Sequence, residues 1–128
     1  MIKNLEQNYI SVVLVINDDN SQVEKKIKEI KEVLDSNFKN SEIVIVDNTT
    51  KIVSLEALKS LDFKYTEIKL PIKHRTQQAL NAGTAIAIGD YIVEIEDISF
   101  NIDYNKIVEM YKKSQEVLQC STSIFSIN

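Results

Sequence analysis

Gln78-Ala79-Leu80-Asn81-Ala82-Gly83, continued through Gly89-Asp90-Tyr91-Ile92-Val93-Glu94-Ile95-Glu96-Asp97, is the stretch whose reading decides the fold. It reads as a helix of small residues, a tight stop, an apolar strand, and two adjacent carboxylates where that strand ends. The chain contains two glycines, Gly83 and Gly89, and both lie here. Glycine is needed where backbones approach closely or where a helix must turn out through positive φ. Carboxylates just past the carboxyl end of a buried strand stand where open α/β sheets bind their ligands. The segment therefore predicts a binding crevice at a strand end.

Outward from this stretch two periodicities alternate. Ser11-Val12-Val13-Leu14-Val15-Ile16 is a continuous apolar run ending in Asn17-Asp18-Asp19-Asn20. Such runs are strands buried on both faces, as parallel sheets require. Ser21 with Glu24 is a capping-box signature, and the helix it opens places Val23, Ile27, Ile30 and Leu34 on one face. Glu42 to Val46 reads as a second buried strand, ending at Asp47-Asn48-Thr49-Thr50. Ser54 to Leu61 reads as a short helix, and Tyr65 to Leu70 as a third strand. A helix is predicted over Gln77 to Ile88 and a fourth strand over Tyr91 to Ile95. Asn101 or Asp103 caps a last helix with Ile107, Met110, Tyr111, Val117 and Leu118 on its apolar face. Thr122 to Ile127 closes the chain as a fifth strand. This alternation predicts one α/β domain over residues 1–128, a mostly parallel sheet with helices on both faces.

Composition agrees with one globular domain: 128 residues, 44% hydrophobic and 27% charged. A net charge of −4 repels a phosphate backbone at long range, and Lys73-His74-Arg75 is too short a basic patch to suggest nucleic acid. The single cysteine, Cys120, excludes an intrachain disulfide and a cysteine-built metal site. It is expected to be a buried filler. Met1 to Ile10 lack the apolar core of a signal peptide. No apolar run approaches the roughly 18 residues of a membrane span. The expectation is a cytoplasmic protein without a transmembrane segment. An end strand after Cys120 offers an edge to a second copy, giving a homo-oligomer, or to a missing acceptor domain.

In this architecture Asn17-Asp18-Asp19, Asp47-Asn48 and Glu96-Asp97 converge on one edge of the sheet. Such a set can hold a divalent cation through hard oxygens, or hydrogen-bond a ribose or base. Turn formation and helix capping account for the same residue types. The paired acids Asp18-Asp19 imitate the receiver domain of response regulators. That template needs its phosphoacceptor at the end of the third strand, whereas Asp47 ends the second, and Thr122 to Asn128 lacks the expected lysine.

A second template fits every piece in order. Ile10 to Asp18, Glu42 to Thr50, Ala79 to Gly83, Ala87 to Val93 and Glu96-Asp97-Ile98 resemble, in sequence, the motifs of family 2 glycosyltransferases. The resemblance spans about residues 10 to 127 and concerns the nucleotide-sugar-binding N-terminal half of those enzymes. It implies a GT-A-like three-layer sandwich that binds a nucleotide-diphosphate sugar, for transfer to an acceptor hydroxyl in a complete enzyme. Carried over by position, it implies Val15 and Asn17 at the base pocket and Asp47 or Asn48 on the base. It also implies Asp97 at the ribose or sugar, with Lys73 and Arg75, beside His74, near the diphosphate. Glu96 and Asp97 fall on the D-x-D metal motif, which implies Mn2+ or Mg2+.

The departures are equally specific. Val15 replaces a proline, Asn17 an aromatic residue, Asn48 an acid, and Lys73-His74-Arg75 an asparagine-x-glycine. Ile98 stands at the usual metal-ligand position and cannot coordinate a hard cation. The acceptor-binding half, with its catalytic base, is not among these residues, so no catalytic residue is assigned. These departures support an alternative: a degenerate, non-catalytic interaction module that keeps the GT-A-like fold.

Overall fold

In the computed structural model, which describes residues 4–18, 22–50, 58–116 and 124–127, the central strand β1 (Ile10–Ile16) is buried along its whole length. It is flanked by β2 (Ser41–Asp47) and β4 (Tyr91–Ile95), with β3 (Thr66–Lys69) and β5 (Ile124–Ile127) at the edges. Every pairing is parallel, in the order β3-β2-β1-β4-β5. Helices α1 (Val23–Asn37), α2 (Thr76–Ile86) and α3 (Lys106–Glu116) cover the two faces. The α/β sandwich read from the sequence is the observed architecture.

The period-two alternation of β1 divides the core. Ile10, Val12, Leu14 and Ile16 face α1 and α3, together with Ile43, Ile45, Val93 and Ile95. Val13 and Val15 face α2 with Val44 and Val46. Each fully buried aliphatic side chain contributes about 1.5–3 kcal/mol, so the larger face under α1 carries more of the stability. On it Phe38, Tyr91 and Tyr111 meet edge to face, with centroids 4.9 and 5.1 Å apart.

The smaller face explains the glycines. Gly83 lies inside α2, not at its end, and has no positive φ. A Cβ there would run into Val13 Cγ1 and stand 2.8 Å from Val46 Cγ2. A Cβ on Gly89 would stand 2.5 Å from Ser11 Oγ and 2.8 Å from the Ser11 nitrogen. Both glycines serve close approach, and the helix expected over Gln77 to Ile88 runs as α2 from Thr76 to Ile86, continuing through Gly83.

Other boundaries shift modestly. α1 starts after Gln22, whose φ of 54° is left-handed and whose side chain makes no cap. The expected partner Glu24 turns instead to Lys28, 2.8 Å away; Ser21 lies outside the described residues. Of the helix expected over Ser54 to Leu61, the described part is one 3₁₀ turn at residues 58–60. Asp103 accepts the Asn105 N–H at 3.0 Å just ahead of α3. Val117, Leu118, Cys120 and Thr122 lie outside the described residues.

The crossovers do not share one hand. β1 to β2 steps toward one edge with α1 on its face, and β3 to β4 returns with α2 on the other face, which is the same rotation. β4 to β5 continues in the returning direction, but α3 lies on the α1 face. That connection is therefore opposite in hand to the other two. About 98% of parallel crossovers are of one hand, so β5 joins by the uncommon form.

Candidate functional site

Strand order reverses between β1 and β4, the place where open α/β sheets bind ligands. The ladder continues just past the strands there. The Ile98 N–H donates to the Val15 carbonyl at 3.0 Å, and the Asn48 N–H to the Ile16 carbonyl at 2.9 Å. These bonds bring three side chains into a row. Asn17 Nδ2 donates to Asp97 Oδ2 at 3.0 Å, and Asn48 Nδ2 donates to Asn17 Oδ1 at 3.0 Å. Asn48 Nδ2 also donates to the His74 carbonyl at 2.9 Å, while Asn48 Oδ1 accepts the His74 N–H at 2.9 Å. The row Asp97–Asn17–Asn48–His74 thus crosses the ends of β4, β1 and β2 and reaches the loop before α2.

Two further contacts fix the surrounding loops. Asp97 Oδ1 accepts the Ser99 N–H at 2.9 Å, closing a tight turn. Lys26 of α1 is only 8% exposed, and its ammonium donates to the carbonyls of Ser99 (2.9 Å) and Phe100 (3.4 Å). On the other side Asp18 accepts from the Thr50 N–H (2.7 Å) and hydroxyl (2.9 Å), and lies 3.4 Å from Lys73 Nζ. The Thr50 backbone N–H, above all, holds the Asp18 carboxyl below its ordinary range, helped by the Thr50 hydroxyl and Lys73.

The expected site residues fall into two groups. Asn17, Asn48 and Asp97 are joined in the row, with Lys73 and Arg75 on the exposed loop beside His74. Val15 and Asp47 are not in it. Val15 is fully buried beneath α2. Asp47 follows the strand alternation onto the α1 face, paired in register with Ile16. There it is 1% exposed, and its Oδ1 accepts from the Thr49 N–H (3.0 Å) and hydroxyl (2.6 Å). Lys69 Nζ lies 3.5 Å from Oδ1, and Asp47 Oδ2 has no hydrogen-bond partner among the described residues. Asp19 lies outside the described residues.

Sequence reasoning missed Lys26, Thr50 and the peptide of His74. Lys26 had a signal: it stands three residues after Val23 and one before Ile27, on the buried stripe of α1, where a lysine must find oxygen partners. The peptide of His74 had none.

The described donors do not by themselves make a resident metal site. Ile98 is 0% exposed and belongs to the apolar core. Both Asp97 oxygens already accept protein hydrogen bonds. Among the described residues no three His, Cys, Asp or Glu side chains are grouped to hold a metal ion. A hard cation needs several oxygen ligands, and the pair expected from Glu96 and Asp97 gives at most a fragment of such a set.

Among the described residues no helix is long and apolar enough to cross a membrane. No curated protein matches the chain. The family model described as glycosyl transferase family 2 matches residues 11–121, from the second residue of β1 to beyond α3. By that match over most of its length, the chain belongs to glycosyl transferase family 2.

Proposed function

We propose that this chain binds a nucleotide-diphosphate sugar over the ends of β2, β1 and β4, as the donor-binding part of sugar transfer to an acceptor hydroxyl. The observation that carries the reading is the hydrogen-bonded row Asp97–Asn17–Asn48 at the reversal of strand order. Its members are side chains that read a base or ribose through paired donors and acceptors. Lys73 and Arg75 lie on the adjoining loop, where cations offset the charge of a diphosphate. In the transfer itself, the acceptor oxygen forms its bond to the anomeric carbon as the bond to the diphosphate breaks. The acceptor proton passes to a base outside the residues assigned here.

Thermal unfolding against UDP, GDP and dTDP, free and sugar-linked, tests the reading. A ligand that binds only the native state raises apparent stability by mass action. One nucleotide should raise Tm by several degrees, and Asn48→Ala should abolish the rise. Because the described donors form no metal cage, exchanging manganese for EDTA should leave the rise unchanged.

One observation favours a second reading, a non-catalytic interaction module. The Asn48 carboxamide is 1% exposed, and its oxygen and both its hydrogens are engaged within the protein. That reading expects a Tm indifferent to every nucleotide in the panel.

A further inference from the structure

We propose that the peptide of His74 is a latch seated on Asn48, closing the site until the edge of a nucleobase takes its place; this rests on the nucleotide-sugar reading above. A carboxamide offers one donor and one acceptor side by side. Here both are met by one residue's backbone, the N–H and C=O of His74, each at 2.9 Å. An asparagine pairs with a nucleobase in the same two-point manner, as in its bidentate contact with adenine. Lactam bases present the matching C=O and N–H as well. The peptide and a base therefore compete for the same two atoms of Asn48, and they cannot occupy them together.

The rest of the loop is built to let go. Pro71, Ile72, Lys73 and Arg75 are exposed, and Ile72 is 67% exposed, so no apolar side chain anchors this segment. A second tether among the described residues, Lys73 to Asp18 at 3.4 Å, is a solvent-exposed ion pair, a class that contributes little. Release costs two hydrogen bonds that an incoming base replaces in kind. The reading group meanwhile stays aimed, because Asn48 Nδ2 also holds Asn17 Oδ1 and Asn17 in turn holds Asp97. The loop is the moving part, and the three strand-end side chains are the fixed one.

The test combines residue-level amide exchange at His74 with direct binding of ADP, UDP, GDP, dTDP and CDP, on the natural chain and on His74→Pro. Proline removes the N–H that Asn48 Oδ1 accepts. The latch predicts a slowly exchanging His74 amide in the free protein, and at least tenfold faster exchange when a nucleotide saturates the site. His74→Pro should bind that nucleotide about tenfold more tightly, the scale of one exchanged hydrogen bond. Binding to the proline variant alone also supports the latch. Nucleotide binding that leaves His74 exchange slow and the affinity of His74→Pro unchanged overturns the latch and spares the site. No binding by either protein overturns the site and the latch together. Should His74→Pro fail to fold, the exchange measurement on the natural chain decides alone.

Discussion

Asn17 is the pivot of the row, since it accepts from Asn48 and donates to Asp97 across the reversal of strand order. Its amide does what an aromatic or an acid at this position cannot: it passes one donor and one acceptor along the same edge. Asn17→Ala leaves an Asn48 donor buried without a partner, a loss of about 1–3 kcal/mol, measurable by urea unfolding. It should weaken nucleotide binding as well, because Asn48 is no longer held. Tyr104 makes the opposite case. Its hydroxyl is buried with no partner among the described residues, and burial, with Glu29 adding, pushes its pKa up to about 12. Tyr104→Phe removes that unpaired group and should raise stability near neutral pH by about 1 kcal/mol. The sign of the pH effect follows from linkage. The folded pKa is raised from 10.0 to about 12, so below pH 10 the hydroxyl keeps its proton in both states, and as pH climbs from there the unfolded chain gives it up first and stability falls. Tyr65 and Tyr111 are also held high by burial, so the variant should make the alkaline loss of stability shallower without abolishing it.

Among the elements, α2 shows what a sequence can and cannot disclose. Its small residues, Ala79 and Gly83, are legible as a packing face, and the valines opposite them are legible as a buried strand. Whether Gly83 ends the helix or admits a neighbour depends on whose methyl groups stand there, and those belong to β1 and β2. Gly83→Ala therefore carries two opposed terms. Alanine is the better helix former by about 1 kcal/mol, while overpacking against two stiff valines costs about 1–3 kcal/mol. We expect a net destabilisation of about 1 kcal/mol, measured by urea unfolding, and a double variant with Val13→Ala that loses less than the sum of the two single changes. The candidate site divides along the same line. Asn17, Asn48 and Asp97 were legible as polar residues at strand ends. Asp47 stands apart from the row because the period-two alternation turns it away from Asn48, onto the α1 face, and nothing local says which face holds the row. The peptide of His74 leaves no mark at all, since every residue carries the same backbone groups.

At the scale of the molecule, the site needs four segments at once: the ends of β2, β1 and β4 and the loop before α2. Three of those segments belong to the three central strands, whose pairings run five to seven residues. β5 differs in kind. It pairs over four residues with β4 alone, its connection is opposite in hand to the others, and Ile124 remains 42% exposed. Stability is distributed unevenly in such sheets, and edge strands with short ladders and little burial, here β3 as well as β5, open before the centre. The anchors of β5 on the core face are Phe125, stacked near Tyr91 with centroids 6.3 Å apart, and the buried Ile127; on the other face Ser126 Oγ donates to Glu94 at 3.3 Å. Native-state hydrogen exchange should therefore find the β5 amides opening well below the global unfolding free energy, while those of β1 exchange only with global unfolding. Near-equal protection of β5 and β1 would show that the uncommon crossover is no weak point. Because no residue of the row lies on β5, Phe125→Ala should lower β5 protection further and leave nucleotide-dependent stabilisation intact.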